Sequence, residues 1–65
     1  MGDVRSIGAS IRSARKDAGI TQEDLARLAR ISVRTVRAIE TGTGNPSLQA
    51  VVAVSGVLGL QLTVR

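Results

Sequence analysis

Arg34 and Arg37 stand three residues apart in the run Ser32-Val33-Arg34-Thr35-Val36-Arg37-Ala38-Ile39-Glu40. A guanidinium holds its N–H donors in a planar fork, which matches two phosphate oxygens or the O6 and N7 of a guanine. If this run is a helix with Val36 and Ile39 turned inward, Val33, Arg34 and Arg37 fall on its outer side. Ser32 would open that helix, so its first turn would carry free N–H groups and outward side chains. Val33 adds a methyl surface of the kind that meets the C5 methyl of thymine. The expectation is a helix offered to DNA base edges through Val33, Arg34 and Arg37, with at least one G and one T among the contacted bases.

Other chemistry has little to work with. The chain has no His and no Cys, so no zinc or thiol site is expected, and no metal ligand is assigned. Glu23 and Asp24 are adjacent carboxylates, but neighbours on a helix point about 100° apart, and both suit an N-terminal turn. They are read as dipole and capping residues rather than an acid–base pair. Gly42-Thr43-Gly44 follows a helix instead of a strand, which argues against a phosphate-cradling loop. No catalytic residue and no cofactor are assigned, and the chain is not read as an enzyme.

Charge agrees with a polyanion partner. Nine Lys and Arg residues face five Asp and Glu, for a net charge of +4. The excess is concentrated: Arg5, Arg12, Arg15, Lys16, Arg27, Arg30, Arg34 and Arg37 all precede residue 38. The remainder is nearly neutral and mostly apolar. A basic half and an apolar half suggest one surface for nucleic acid and another for protein. With 65 residues and no Phe, Tyr or Trp, the core must be aliphatic and small. A chain of this size buries only about 60% of its unfolded surface, so self-association is the expected extra source of stability. No apolar run approaches the ~18 residues of a membrane span, and no signal-peptide pattern is visible. A soluble, cytoplasmic protein with no membrane partner is expected.

The elements that must position these residues can be drawn from local signals. Ile7, Ile11, Ala14 and Ala18 recur at helical spacing and predict a first helix over about residues 6–18, ended by Gly19. Thr21 caps a second helix ending near Ala29, with Leu25, Ala26 and Leu28 inward. Ser32 caps the third, running to Glu40 or Thr41. Gly42 to Pro46 is a loop. Ser47 caps a fourth helix, with Leu48, Val51, Val52 and Ser55 expected on the buried side and Val54 and Leu58 extending the apolar surface. Gly59 stops it. Leu60, Leu62 and Val64 then alternate with Gln61, Thr63 and Arg65, a period of two that argues a strand. A lone strand cannot satisfy its own backbone, so pairing with a second copy is expected.

The ordered segments Thr-Gln-Glu-Asp-Leu-Ala (21–26), Ile-Ser-Val-Arg-Thr-Val-Arg-Ala-Ile-Glu-Thr-Gly (31–42) and Asn-Pro-Ser-Leu (45–48) resemble the lambda-repressor/Cro-type (XRE) helix-turn-helix domains. The likeness covers roughly Ile7 to Leu58. It implies an all-α bundle of four to five helices that binds double-stranded DNA as a homodimer and acts as a transcriptional regulator, most often a repressor, at a near-palindromic operator. It places Ser32, Val33, Arg34 and Arg37 at base edges. Gln22, with Thr21 beside it, would meet a phosphate and lie against the recognition helix, and Thr35, Thr41, Thr43 and Asn45 would lie near the backbone on either side. An Arg–Glu pair joining helix one to helix three maps onto Arg15 and Glu40. One departure is Arg30, which occupies a turn position usually held by Gly. If that position needs a positive φ, it costs on the order of 1 kcal/mol.

A second departure lies at the C-terminal end, where many relatives have a fifth helix. A short strand there is similar to HipB-like antitoxins, whose terminal strands pair across a dimer. That narrower likeness implies an antitoxin that binds a HipA-like kinase toxin and regulates its own operon. The expected organisation is therefore a DNA-binding domain over 1–58 and a dimerisation strand over 59–65, with Leu58, Leu60, Leu62 and Val64 at the dimer contact.

Overall fold

A computed structural model of the chain describes residues 4–59. Four helices follow one another: α1 (Val4–Asp17), α2 (Gln22–Ala29), α3 (Val33–Thr41) and α4 (Leu48–Leu58). No strand occurs among the described residues. Leu60, Leu62 and Val64, expected to form one, lie outside them.

The starts of three helices follow the caps written in the sequence. The Thr21 side chain accepts from the Asp24 N–H at 3.0 Å, and Asp24 Oδ2 accepts from the Thr21 N–H at 3.1 Å, a closed capping box. Ser32 accepts from the Thr35 N–H and Ser47 from the Ala50 N–H, both at 3.1 Å. At the C-terminal ends, Gly42 and Gly59 adopt left-handed conformations after α3 and α4. Arg30 does the same after α2, at φ 60°, the one non-glycine residue with positive φ among those described. Its turn is closed by the Ile31 N–H, which donates to the Ala26 carbonyl at 3.0 Å.

Each helix sends one large side chain wholly into the core: Ile11, Leu25, Val36 and Val54. Ala26, Ile39 and Ala50 fill the space between them. α1 lies mainly on α3, and α2 packs against both α3 and α4. Gly8 is buried where α1 crosses the end of α3. A Cβ there would overlap the Ile39 carbonyl oxygen and lie 2.9 Å from that of Glu40.

Several expected core positions are corrected. α4 turns Ala50, Val54 and Ser55 inward and leaves Leu48 and Val52 exposed, at 76% and 52%. Every position of this helix before Gly59 except Gln49, Ser55 and Gly56 is aliphatic, so its periodicity could not fix which side is buried. Leu28 is exposed because α2 presents Leu25 and Ala26, with Ala29 beside them, and Leu28 lies about a quarter-turn away. Ile7 is partly exposed and Ala18 is on the surface. Leu58, expected at a dimer contact, is half-buried against this chain's own core.

Candidate nucleic-acid interface

The back of α3 is fixed by Val36 and Ile39, and its front is open. Arg34 and Arg37 are exposed on that outer side. Val33, expected to point outward, is half-buried and packs partly against the core edge. Ser32 is exposed at the start of α3, but its hydroxyl is engaged: it accepts the Thr35 N–H and lies 2.9 Å from the Thr35 hydroxyl. That arrangement fixes the first turn of the helix while leaving its outer edge accessible.

The residues expected near the DNA backbone flank this surface. Thr21 and Gln22 open α2. At the far end of α3, Thr41 donates to the Arg37 carbonyl at 2.8 Å, and its oxygen lies 2.7 Å from the Thr43 hydroxyl. Thr41 is thereby tied into its own helix end. Asn45 is exposed in the loop that follows.

Beneath the surface, a polar cluster joins three helices. Arg15 Nε donates to Glu40 Oε2 at 2.6 Å, and Arg15 Nη2 donates to Oε1 at 3.1 Å. Both residues are buried, with Glu40's side chain only 2% exposed. The Glu40 carboxylate holds the Arg15 guanidinium pKa above its ordinary value, chiefly through this hydrogen bond, against the opposing effect of burial. Arg15 Nη1 also donates to the Ile20 carbonyl at 3.0 Å, pinning the α1–α2 connection. Gln22 Nε2 donates to Glu40 Oε1 at 3.1 Å, and Gln22 Oε1 accepts from Arg37 Nε at 3.2 Å. A continuous path therefore runs from buried Arg15 through Glu40 and Gln22 to exposed Arg37.

The family resemblance paired Arg15 with Glu40 and set Gln22 against the recognition helix; it named neither the Arg15 bond to the Ile20 carbonyl nor Arg37 as a partner of Gln22. Gly8 was missed as well. Its signal was present, because a glycine inside an amphipathic helix costs about 1 kcal/mol against alanine and usually has a packing reason.

Two short helices joined by a tight left-handed turn, the second with a locked back and a basic front, define a helix-turn-helix domain. Residues 11–64 match the helix-turn-helix family. The chain belongs to that family, in its lambda-repressor/Cro-type branch, whose members are DNA-binding domains. It is also 38% identical over 58 residues to the immunity repressor protein of Bacillus phage phi105. That stretch is 89% of this chain and 40% of the relative, so the chain spans well under half of the relative's length. No helix among the described residues is long and apolar enough to cross a membrane.

Proposed function

We propose that this chain is the DNA-reading domain of a transcriptional repressor that binds a near-palindromic operator as a homodimer. The observation that carries the reading is the pair Arg34 and Arg37, exposed on the front of a helix whose back and first turn are fixed. In this reading α3 enters the major groove. Arg34 and Arg37 take guanine edges, and the exposed part of Val33 takes a thymine methyl. Gln22 and Thr21, with Thr35, Thr41, Thr43 and Asn45, set the register on the phosphates. Two copies would hold their α3 helices about 34 Å apart, in successive major grooves on one face of the duplex. Occupation of a promoter would exclude polymerase. The similarity to a phage immunity repressor supports repression over activation.

Self-association draws support from the apolar surface left on α1 and α4. Ile7, Leu48 and Val52 are exposed, and a mostly apolar recess of about 270 Å³ between Ile7 and Leu48 is lined also by Ile39, Gly44, Asn45, Pro46 and Val51. The antitoxin alternative rests on Leu60, Leu62 and Val64 alone, and the similarity to a phage immunity repressor favours the repressor reading over it.

The test is selection of bound sequences from random duplex DNA at two salt concentrations. An enriched inverted repeat with half-sites about one helical turn apart is expected. Binding that falls with salt and enriches no sequence would reduce the surface to a basic patch and sink the reading. On the selected site, Arg34→Ala should cost about 1–3 kcal/mol and relax one base position.

A further inference from the structure

Five described residues have a left-handed backbone, and four of them are glycines: Gly19, Gly42, Gly44 and Gly59. The fifth is Arg30, at φ 60° and ψ 44°. The turn needs that conformation, because it lets the Arg30 and Ile31 N–H groups close on the last carbonyls of α2. It does not need an arginine. Glycine adopts the conformation without steric strain, and among side chains the short polar ones tolerate it best. A long side chain held there is strained, and the strain points to a task for that side chain.

The task is not within the fold. The Arg30 side chain is exposed and has no hydrogen-bond or ion-pair partner among the described residues. Its neighbours are engaged. Arg27, one helical turn earlier, is paired with Asp24 at 3.2 Å, and Arg37 donates to Gln22. Of the arginines from α2 to the end of α3, Arg30 and Arg34 keep their guanidinium groups open among the described residues.

Position supplies the partner. Arg30 stands three residues before Val33, the first residue of α3, and three peptide units span at most about 11 Å. With α3 in a major groove about 12 Å wide, a residue that close to its first turn stands beside one of the two phosphate strands. A guanidinium meets a phosphate with two parallel N–H donors and reads no base in doing so. Arg34 is already assigned to the duplex, which favours the same polyanion for Arg30 over an acidic protein.

We infer that Arg30 is a phosphate contact: it binds the DNA backbone beside the first turn of α3 and fixes that end of the helix in the groove. This rests on the reading of α3 as the base-contacting helix. Arg30 contributes affinity and orientation but no base preference, and the turn accepts strain to carry it.

The experiment replaces Arg30 by the residue that the backbone favours. Arg30→Gly relieves the strain and removes the charge in one step, so stability and binding should part company. The thermal midpoint is expected to be no lower than that of wild type, since relief of the left-handed strain offsets the extra freedom of glycine in the unfolded chain. Affinity for the selected operator should fall about three- to tenfold near 0.1 M salt, by the same factor on DNAs altered at each half-site position. The plot of log affinity against log salt should become shallower by about 1. Arg30→Lys keeps the charge and should keep the wild-type slope.

A wild-type slope in Arg30→Gly, or a loss confined to one base position, would overturn the inference. A lowered midpoint would overturn it as well, because the arginine would then be serving the fold. The two readings fail separately. If wild-type protein enriches no sequence, the reading of α3 is lost. If it enriches one and Arg30→Gly leaves the salt slope unchanged, the phosphate contact alone is lost.

Discussion

Gly8 and Gly56 both lie inside helices, yet their surroundings are opposite. A methyl group added at Gly8 would collide with the backbone at the end of α3, whereas one added at Gly56 meets no atom within 4 Å. The contrast extends to the regions around them. In the corner where α1, α2 and α3 meet, the polar groups of Arg15, Glu40 and Gln22 are joined to one another, and the backbones approach as closely as a glycine allows. Along α4, the Ser55 hydroxyl is buried without a partner among the described residues, and Leu48 and Val52 face outward. The corner carries α3, whose outer face must be held in register with a ligand. α4 closes the core from one side, and its other side is constrained by nothing among the described residues.

The sharpest way to break the corner is Glu40→Ala. It strands the Arg15 guanidinium in a buried site, and removing one partner of such a pair costs about 3–5 kcal/mol. Chemical denaturation should show loss of most of the domain's stability. A cost below 1 kcal/mol would mean that Arg15 finds water instead. Gly8→Ala comes next. Despite alanine's better helix propensity, the forced separation of α1 and α3 should cost about 1–3 kcal/mol, read as a lowered thermal midpoint.

Substitutions on α4 should have the opposite sign. Ser55→Ala removes an unpartnered buried hydroxyl and should stabilise by about 1 kcal/mol. Gly56→Ala should stabilise by about 0.5–1 kcal/mol, a rise of several degrees in a domain of this size. This variant also sharpens the comparison. A fall in midpoint together with a smaller mass in sedimentation would place a second chain against Gly56, and α4 would then be constrained from outside.

The smallest effect lies at the rim of the corner. Hydrogen bonds from the Thr21 backbone N–H, then from its side chain, hold the Asp24 pKa below the ordinary carboxylate value, with Arg27 adding to the effect. A depressed folded-state pKa gives stability that is present above the unfolded value, about 3.9, and is lost as pH falls through the folded one. Thermal unfolding between pH 7 and pH 2 should therefore show the advantage of wild type over Asp24→Asn shrinking in acid. An advantage that grew in acid would reverse the sign of the shift.

Where the helices begin and end was legible because the physics is local. Thr21, Ser32 and Ser47 cap the helices they precede, and Gly59 stops α4, since a capping hydroxyl or a left-handed residue acts within a few positions of itself. The outward position of Arg34 and Arg37 was equally readable, because the apolar spacing of α3 leaves one choice of buried side. α4 offered no such choice. An aliphatic helix with hardly a polar position can turn any face inward, and only contact with the other helices, chiefly α2, selected Ala50, Val54 and Ser55 over Leu48 and Val52. Local pattern was likewise silent on the route from Arg15 through Glu40 and Gln22 to Arg37, as it joins residues 15 to 25 positions apart, and its Arg15–Glu40 pair came from the family resemblance alone. The sequence by itself determined where the helices lie and which of them carries the exposed arginines, because caps and periodicity act over a few residues. Tertiary structure alone decided which side of α4 is buried and which arginine is held, because both depend on groups that only folding brings within hydrogen-bond or packing distance.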